Sequence, residues 1–298
     1  MKIFRSGAPR LLGVLTLLLS GAAACGQAPP QPGAMGFVWL GDDHVYSVAQ
    51  HQANESGQLL RTDRKLHTDK MRVPRGCWID LNVGAIARVD DHRFAIVLSC
   101  GTPTLFVYDT ASQQFEKRSG AIADRPLIAF EPTMTTGFQA DACTVQRLRW
   151  DGHDYTSEPV DLGPVCVHGN GVSALVLVTV DGQQQLLHTA VSASDGDRSH
   201  YRILAHDMES GRTRVIRDDL VGRKRPVWAV ASSDGGTLFA TSTEGISRID
   251  IRSGRVEQVR SGAYYRLSLS PDDRTLFVQR FDGDKAVYEF IPVTSAGS

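Results

Sequence analysis

Ser270-Pro271-Asp272-Asp273-Arg274-Thr275-Leu276-Phe277 lines up, at a constant offset of 38 residues, with Ser232-Ser233-Asp234-Gly235-Gly236-Thr237-Leu238-Phe239. Each copy is a polar turn that leads into a strand. A second echo follows the next strand: Asp109-Thr110-Ala111-Ser112-Gln113-Gln114, Asp207-Met208-Glu209-Ser210-Gly211-Arg212 and Asp250-Ile251-Arg252-Ser253-Gly254-Arg255. In such turns Asp and Ser accept hydrogen bonds from the turn's own amides, and Gly supplies the positive φ of a tight reversal. Looser relatives stand at Glu55-Ser56-Gly57-Gln58 and at Asp151-Gly152, so hairpins recur at intervals of about 40 to 60 residues, the size of one four-stranded unit.

Between these turns the periodicity is mostly two. Arg93-Phe94-Ala95-Ile96-Val97-Leu98, Ala174-Leu175-Val176-Leu177-Val178-Thr179-Val180 and Gly245-Ile246-Ser247-Arg248-Ile249-Asp250-Ile251 are short, β-branched or alternating, and bounded by Gly, Asp or Ser. No amphipathic stretch of helical period follows the N-terminal segment, so the pattern predicts an all-β chain. A four-stranded unit cannot bury both faces alone; stacked radially around an axis such units cover one another and close into a ring. The expected fold is a β-propeller of about six blades, spanning 43–73, 80–118, 127–162, 173–219, 227–260 and 264–293. Three strands are evident in the last blade, at 265–269, 275–279 and 286–291, and residues 36–40 are expected to supply its fourth and close the ring. Seven blades, or a pair of β-sandwiches, are the alternatives.

At Ser270 to Val278 the chain resembles bacterial propeller repeats of the YVTN, TolB-like and WD40-like kinds. The resemblance is strongest over roughly the last 70 residues and implies a fold rather than a function. The Asp-x-x-Ser-Gly-Arg units also look like the quinoprotein repeat, but that repeat adds a docking Trp further on. Trp39, Trp78, Trp150 and Trp228 stand elsewhere, so neither cofactor nor catalytic residue is carried over.

The first residues give an address. Lys2, Arg5 and Arg10 precede the apolar run 11–19 and the small residues Ser20-Gly21-Ala22-Ala23-Ala24, directly before Cys25. This is the layout of a signal peptide over residues 1–24. The apolar run is shorter than the roughly 20 residues of a spanning helix. Ala22-Ala23-Ala24 fits ordinary secretory cleavage, and small residues before Cys25 also resemble the bacterial lipobox, although Ala22 stands where Leu is usual. Both cuts fall at the same bond. Lipidation at Cys25 would leave four cysteines, Cys77, Cys100, Cys143 and Cys166, an even set. Gly26 after the Cys resembles the pattern of outer-membrane retention, with the domain on the periplasmic face. Residues 25–35 then read as a short flexible tether, and 36–298 as one propeller domain.

Cys77 and Cys100 are 23 residues apart, and so are Cys143 and Cys166. Of three connectivities the equal spacing favours two local bridges, each restricting the unfolded chain by roughly 3 kcal/mol in an oxidising compartment. Their spacing does not suit a metal cluster. Asp195-Gly196-Asp197 and Asp282-Gly283-Asp284 lack the rest of a calcium loop and read as hairpin tips, so no metal is expected. There is no G-x-S-x-G and no H-E-x-x-H, and His168-Gly169-Asn170-Gly171 reads as a turn. His44, His92, His153 and His206 each adjoin an Asp, but strand neighbours point to opposite faces, and all four are expected at the surface near turns. The 32 Lys plus Arg against 33 Asp plus Glu provide no field for nucleic acid. The local cluster Gly222-Arg223-Lys224-Arg225-Pro226 reads as a solvated loop.

No catalytic or cofactor-binding residue is therefore assigned. The leading expectation is a non-catalytic envelope lipoprotein that binds a periplasmic or outer-membrane protein, in a scaffold, assembly or toxin-immunity role. The alternatives are a lactonase-like or glycan-acting hydrolase using the propeller channel, and a carbohydrate or peptidoglycan binder using Trp150, Tyr155, Tyr264 and Tyr265.

Overall fold

The computed structural model describes residues 34–49, 57–80, 85–119, 127–141, 143–163, 172–195, 198–223, 227–283 and 285–293. Among them there is no helix, and six antiparallel sheets form a ring. Blade 1 holds β1 (Ala34–Trp39), β2 (Val45–Ala49), β3 (Gln58–Thr62) and β4 (Thr68–Lys70). Blade 2 holds β5 (Ile86–Arg88), β6 (Arg93–Ser99), β7 (Pro103–Asp109) and β8 (Gln114–Ser119). Blade 3 holds β9 (Leu127–Phe130), β10 (Thr136–Ala140), β11 (Val145–Trp150) and β12 (Tyr155–Val160). In blade 4 the strands lengthen: β13 (Leu175–Val180), β14 (Gln183–Asp195), β15 (Arg198–Asp207) and β16 (Thr213–Arg223). Blade 5 holds β17 (Ala229–Ala231), β18 (Thr237–Thr241), β19 (Gly245–Asp250) and β20 (Val256–Ser261). Blade 6 has three strands among the described residues, β21 (Tyr264–Leu269), β22 (Thr275–Asp282) and β23 (Lys285–Pro292).

In every blade the strands pair in chain order, so the first strand is innermost. The inner strands β1, β5, β9, β13, β17 and β21 neighbour one another in turn, and β21 returns to β1. The fold is a six-bladed β-propeller, not a sandwich pair.

Each seam between blades has its own apolar cluster, six in all. Middle strands are sandwiched between two neighbouring blades, so β6 and β7 are buried at five consecutive positions each instead of alternating. An outer strand such as β12 is exposed at its four central positions and can be polar. The seam between blades 6 and 1 is the smallest, with Phe37, Trp39, Val45 and Phe277 at its centre. It compensates with aromatic pairs: Phe37 meets Phe277 at 5.0 Å and Tyr288 at 6.0 Å, and Trp39 meets Phe290 at 5.2 Å.

One expectation is overturned here. Residues 36–40 do not complete blade 6, because β1 pairs with β2 from Ala34↔Ala49 to Trp39↔Val45 and begins blade 1. A five-residue turn lets β1 find β2 at little loop-closure cost, whereas pairing with β23 would require crossing to the rim of another blade. Among the described residues ring closure is by side-chain packing of β1 and β2 on blade 6.

Because strands alternate in direction, the propeller has two distinct ends. The turns from first to second strand and from third to fourth strand share one end, the turn face. The second-to-third turns and the blade-to-blade connections share the other, the crossover face. The described chain enters β1 on the crossover face.

Candidate functional site

Along the axis runs a channel of about 760 Å³. Its wall is aliphatic, with Ile86, Ala87, Val176, Leu177, Val230 and Ala231 from blades 2, 4 and 5, and Trp228 towards the crossover face. At the turn face its mouth becomes polar, with Arg88, Asp90, Asp91, His92, Glu131 and Ser233. A volume of this size is what small-molecule sites usually offer, but such sites also aim a few polar groups inward.

Here the polar groups are engaged with the turns. Asp90 accepts the His92 amide at 2.9 Å, the Arg93 amide at 2.8 Å and Arg93 Nε at 2.7 Å. Partial burial pulls its pKa up, but the Arg93 guanidinium and these amides outweigh burial and hold it below the usual carboxylate range. Glu131 accepts from Thr133 Oγ1 at 2.9 Å, from Thr135 Oγ1 and from the Thr136 amide at 2.7 Å. Its pKa too is lowered, burial again being outweighed by these donors. Asp91 pairs with Arg88. Catalytic acids need a carboxyl held neutral near the working pH, and Asp90 and Glu131 are pushed the other way.

The same turns lace neighbouring blades together. The Gly41 amide donates to Asp91 O at 2.6 Å, joining blades 1 and 2. Arg93 Nη2 donates to Pro132 O at 2.8 Å, joining blades 2 and 3. Arg252 pairs with Asp181 across blades 5 and 4, and Ser233 donates to Asp273 through its amide at 2.9 Å and its hydroxyl at 2.6 Å, joining blades 5 and 6. Gly235, with φ of 69°, lies so close to blade 4 that a Cβ would stand 2.5 Å from Thr179 O. Contacts between turns thus cross four of the six seams around the channel mouth.

An outer ring surrounds it. Asp63, Asp109, Asp151, Asp207 and Asp250 each open the third-to-fourth strand turn of a complete blade and accept one or two of its amides. The amide of Ser112 is the main cause of a lowered pKa at Asp109, that of Asp154 at Asp151, that of Ser210 at Asp207 and the Ser253 hydroxyl at Asp250. Asp109, Asp151, Asp207 and Asp250 belong to the units legible in the sequence. Blade 1 uses Asp63 instead; Glu55-Ser56 lies outside the described residues. A second repeat shows only in the fold: Gly41-Asp42-Asp43-His44 and Val89-Asp90-Asp91-His92 are equivalent turns of blades 1 and 2.

The histidines divide. His44 places Nδ1 2.8 Å from the backbone oxygen of Asp42, not against Asp43, while His92 and His153 are exposed. His206 corrects the surface expectation: it is 4 % exposed on β15, with Nδ1 2.9 Å from Thr213 Oγ1, because it packs in the seam of blades 3 and 4. Beside it His188, on β14, is 1 % exposed, and neither ring nitrogen has a hydrogen-bond partner among the described residues. Burial lowers its pKa to about 4.

Cys77 and Cys100 form a disulfide that ties the connection between blades 1 and 2 to the second-to-third turn of blade 2. Cys143 is also disulfide-bonded, in the equivalent turn of blade 3; its expected partner Cys166 lies outside the described residues. So do Cys25, the leader and tether up to residue 33, His168 to Gly171, Lys224 to Pro226, and parts of both Asp-Gly-Asp tips. Among the described residues no group of three or more His, Cys, Asp or Glu could hold a metal.

The four candidate sugar-stacking rings share no surface. Trp150 packs on Tyr155 at 5.0 Å, and Tyr155 donates to Met134 O. Tyr264 is buried, and Tyr265 packs edge-on to Phe281 in blade 6. Among the described residues the exposed aromatic ring is Trp78, 46 % accessible beside Cys77 on the crossover face.

No protein-family model matches the chain, and no curated protein matches it. Among solved structures it is similar to a chain of a nidogen/laminin complex, with a TM-score of 0.58 at 12% identity over 83% of this chain and 89% of that one. A chain of hydrazine synthase from Kuenenia stuttgartiensis matches at 14% identity and a TM-score of 0.49, covering 84% of this chain and 74% of that one. A chain of a mitotic checkpoint complex matches at 11% identity and 0.49, covering 99% of each. At such identities the first likeness is one of fold.

Proposed function

We propose that this chain is a binding protein of the bacterial envelope, a propeller of the YVTN, TolB-like and WD40-like kind, that engages another envelope protein through its turn face. In this reading residues 1–24 export it and a lipid on Cys25 holds it at the periplasmic side of the outer membrane. The observation that carries the reading is the opposition of the two ends. The described chain enters on the crossover face, so a tether from Cys25 would hold that face towards the membrane and aim the turn face outward. The turn face is also the pre-organised surface, its carboxylates and amides fixed by one another, and pre-organisation lowers the cost of binding. The disulfide supports an oxidising compartment.

Two linked measurements test it. Cys25→Ser should move the protein from the membrane fraction to the soluble periplasm. A photo-crosslinking residue at Lys65 or Ser112, both on the turn face, should trap a defined envelope protein, and one at Arg75 on the crossover face should not. Membrane retention of the Cys25→Ser protein would remove the anchor from the reading, and equal labelling from both faces would remove the turn face.

A second reading is a hydrolase, favoured by the gathering of His92 with Asp90, Asp91 and Glu131 at the channel mouth. It ranks lower because those carboxylates are engaged in turn bonds. If the purified protein hydrolyses a lactone or glycan and Asp90→Asn abolishes that turnover while the fold persists, the hydrolase takes precedence.

A further inference from the structure

Blade 6 differs from the other five in a way that marks an interaction surface. Five blades end in a fourth strand, and those outer edges carry exposed charges: Asp69 and Lys70, Glu116 and Lys117, Glu158, Asp218, Glu257. Charged edge strands resist pairing with other chains. Blade 6 ends, among the described residues, at its third strand, β23, whose sequence Lys285-Ala286-Val287-Tyr288-Glu289-Phe290-Ile291-Pro292 is mostly apolar. Its one acid is turned to its own blade, with Glu289 accepting from Tyr264 at 3.0 Å and pairing with Arg280 at 3.3 Å. Third strands of complete blades are better covered: β7 is buried at five positions and β19 at three, β23 only at Ile291. Val287, Tyr288 and Phe290 remain half-buried where a fourth strand would cover them.

We propose that the outer edge of β23 is a docking site for an extended segment donated by a partner protein, which adds antiparallel to β23 as the fourth strand of blade 6. Main-chain hydrogen bonds would supply affinity, and alternate side chains specificity. The chain itself shows what fits: its outer strands place an apolar residue against the following blade, as Val160, Ile216 and Val259 do, among polar and charged ones. The donated segment should therefore carry an apolar side chain alongside Tyr288 and Phe290, which face blade 1, among polar ones. Residues 26–33 of this chain are a weaker match: the outer strand β12 accommodates a single Pro159, but with Pro29 and Pro30 adjacent one of them must face β23 without an amide to donate. The inference concerns an edge remote from the turn face and does not depend on the anchor.

The test places a photo-crosslinking residue at Ala286 or at Val287 in the full-length protein in its own cells, with Glu116 on the charged edge of blade 2 as control. Both β23 positions should trap the same foreign polypeptide through one segment, and Glu116 should not. That segment, made as a peptide, should slow amide exchange in β23 by about tenfold or more while leaving β8 unchanged. A chain carrying a second copy of residues 250–261 after residue 293, which supplies a turn and a fourth strand in cis, should lose the adduct. The proposal is overturned if no adduct forms, if the crosslink joins residues 26–33 of the same chain or a second copy of this protein, or if the cis-filled chain still captures the partner. Loss of crosslinking at Lys65 with retention at Val287 would sink the turn-face reading alone.

Discussion

Phe277→Ala tests how the ring is held shut. Phe277 is 2 % exposed and packs on Phe37 at 5.0 Å, Phe290 at 5.1 Å and Tyr288, stacked, at 5.7 Å. Truncating a buried Phe costs about 3–5 kcal/mol through lost transfer free energy and the cavity left behind. Three aromatic partners in so small a cluster place the expectation near the upper half, at about 4 kcal/mol, since each pair adds about 0.5–1.5 kcal/mol that is not fully additive. Where this is lost matters more than how much. Every other seam is crossed by the chain; among the described residues the seam of blades 6 and 1 is bridged by side-chain contacts, chiefly this aromatic packing. Opening there needs no other seam to break, so the substitution should raise local opening by roughly a thousandfold. Native-state amide exchange should show β1 and β21 to β23 losing about three decades of protection ahead of blades 3 and 4. Phe138→Ala, fully buried in the seam of blades 3 and 4, is the control, costing a similar amount in urea unfolding without that selective loss. A Phe277→Ala cost below about 1 kcal/mol, or protection falling equally in all blades, would refute closure by aromatic packing.

Three further outcomes follow from the same geometry. Gln113 holds φ of 56° at the turn position where Gly211 and Gly254 hold 68° and 70°; Gln113→Gly should stabilise by about 0.5–1 kcal/mol, the left-handed strain relieved less the entropy of Gly, whereas Gly254→Ala, whose Cβ would lie 3.0 Å from Ile216 O, should move the urea midpoint down. His188 titrates at about 4 when folded, against an ordinary 6.5; the unfolded chain therefore takes the proton first, and stability should be complete above about pH 6.5, fall as pH drops towards 4, and level off about 3 kcal/mol lower. His206, its pKa lowered by burial and then by Arg147, acts in the same direction, and His188→Leu should flatten most of the slope between pH 6.5 and 4 in urea titrations. Removing the bridge with Cys77→Ala and Cys100→Ala together should lower the unfolding free energy by about 3 kcal/mol, the entropy of a loop with sequence separation 23; an unchanged urea midpoint would show that the unfolded chain gains nothing from losing it.

What the sequence made legible was local chemistry. An Asp that caps its own turn, followed four residues on by a Gly that takes the positive φ, is a local signature, so Asp207 to Gly211 and Asp250 to Gly254 declare the repeat before any contact is known. Blade 1 hid its copy because Asp63-Arg64-Lys65-Leu66 caps the same turn with neither Ser nor Gly, and Leu66 takes the positive φ itself. The channel mouth was illegible for the opposite reason. Asp90, Glu131, Ser233 and Asp273 are ordinary turn residues in sequence, and only the stacking of blades makes Arg93 reach Pro132 and Ser233 reach Asp273. His206 was misplaced because an adjoining turn Asp signals a loop, while burial is decided by the neighbouring blade.

The strand at 36–40 joins these two lessons. Standing ahead of the first expected blade, it reads from sequence as the fourth strand of the incomplete blade at the far end of the chain, and the strand after the next turn pairs with it instead. Local closure won, as loop entropy favours, and left two consequences at once: a ring fastened by rings of carbon at Phe37, Trp39, Phe277 and Phe290, and an apolar strand on blade 6 with no fourth partner among the described residues. A ring closed by a shared strand would have neither a weak seam nor an open edge. The opening measured in Phe277→Ala and the capture measured at Val287 are therefore linked through one choice of pairing partner. Filling the edge in cis should leave the Phe277→Ala opening largely unchanged, because Phe37 and Trp39 meet blade 6 on its face and not along its rim.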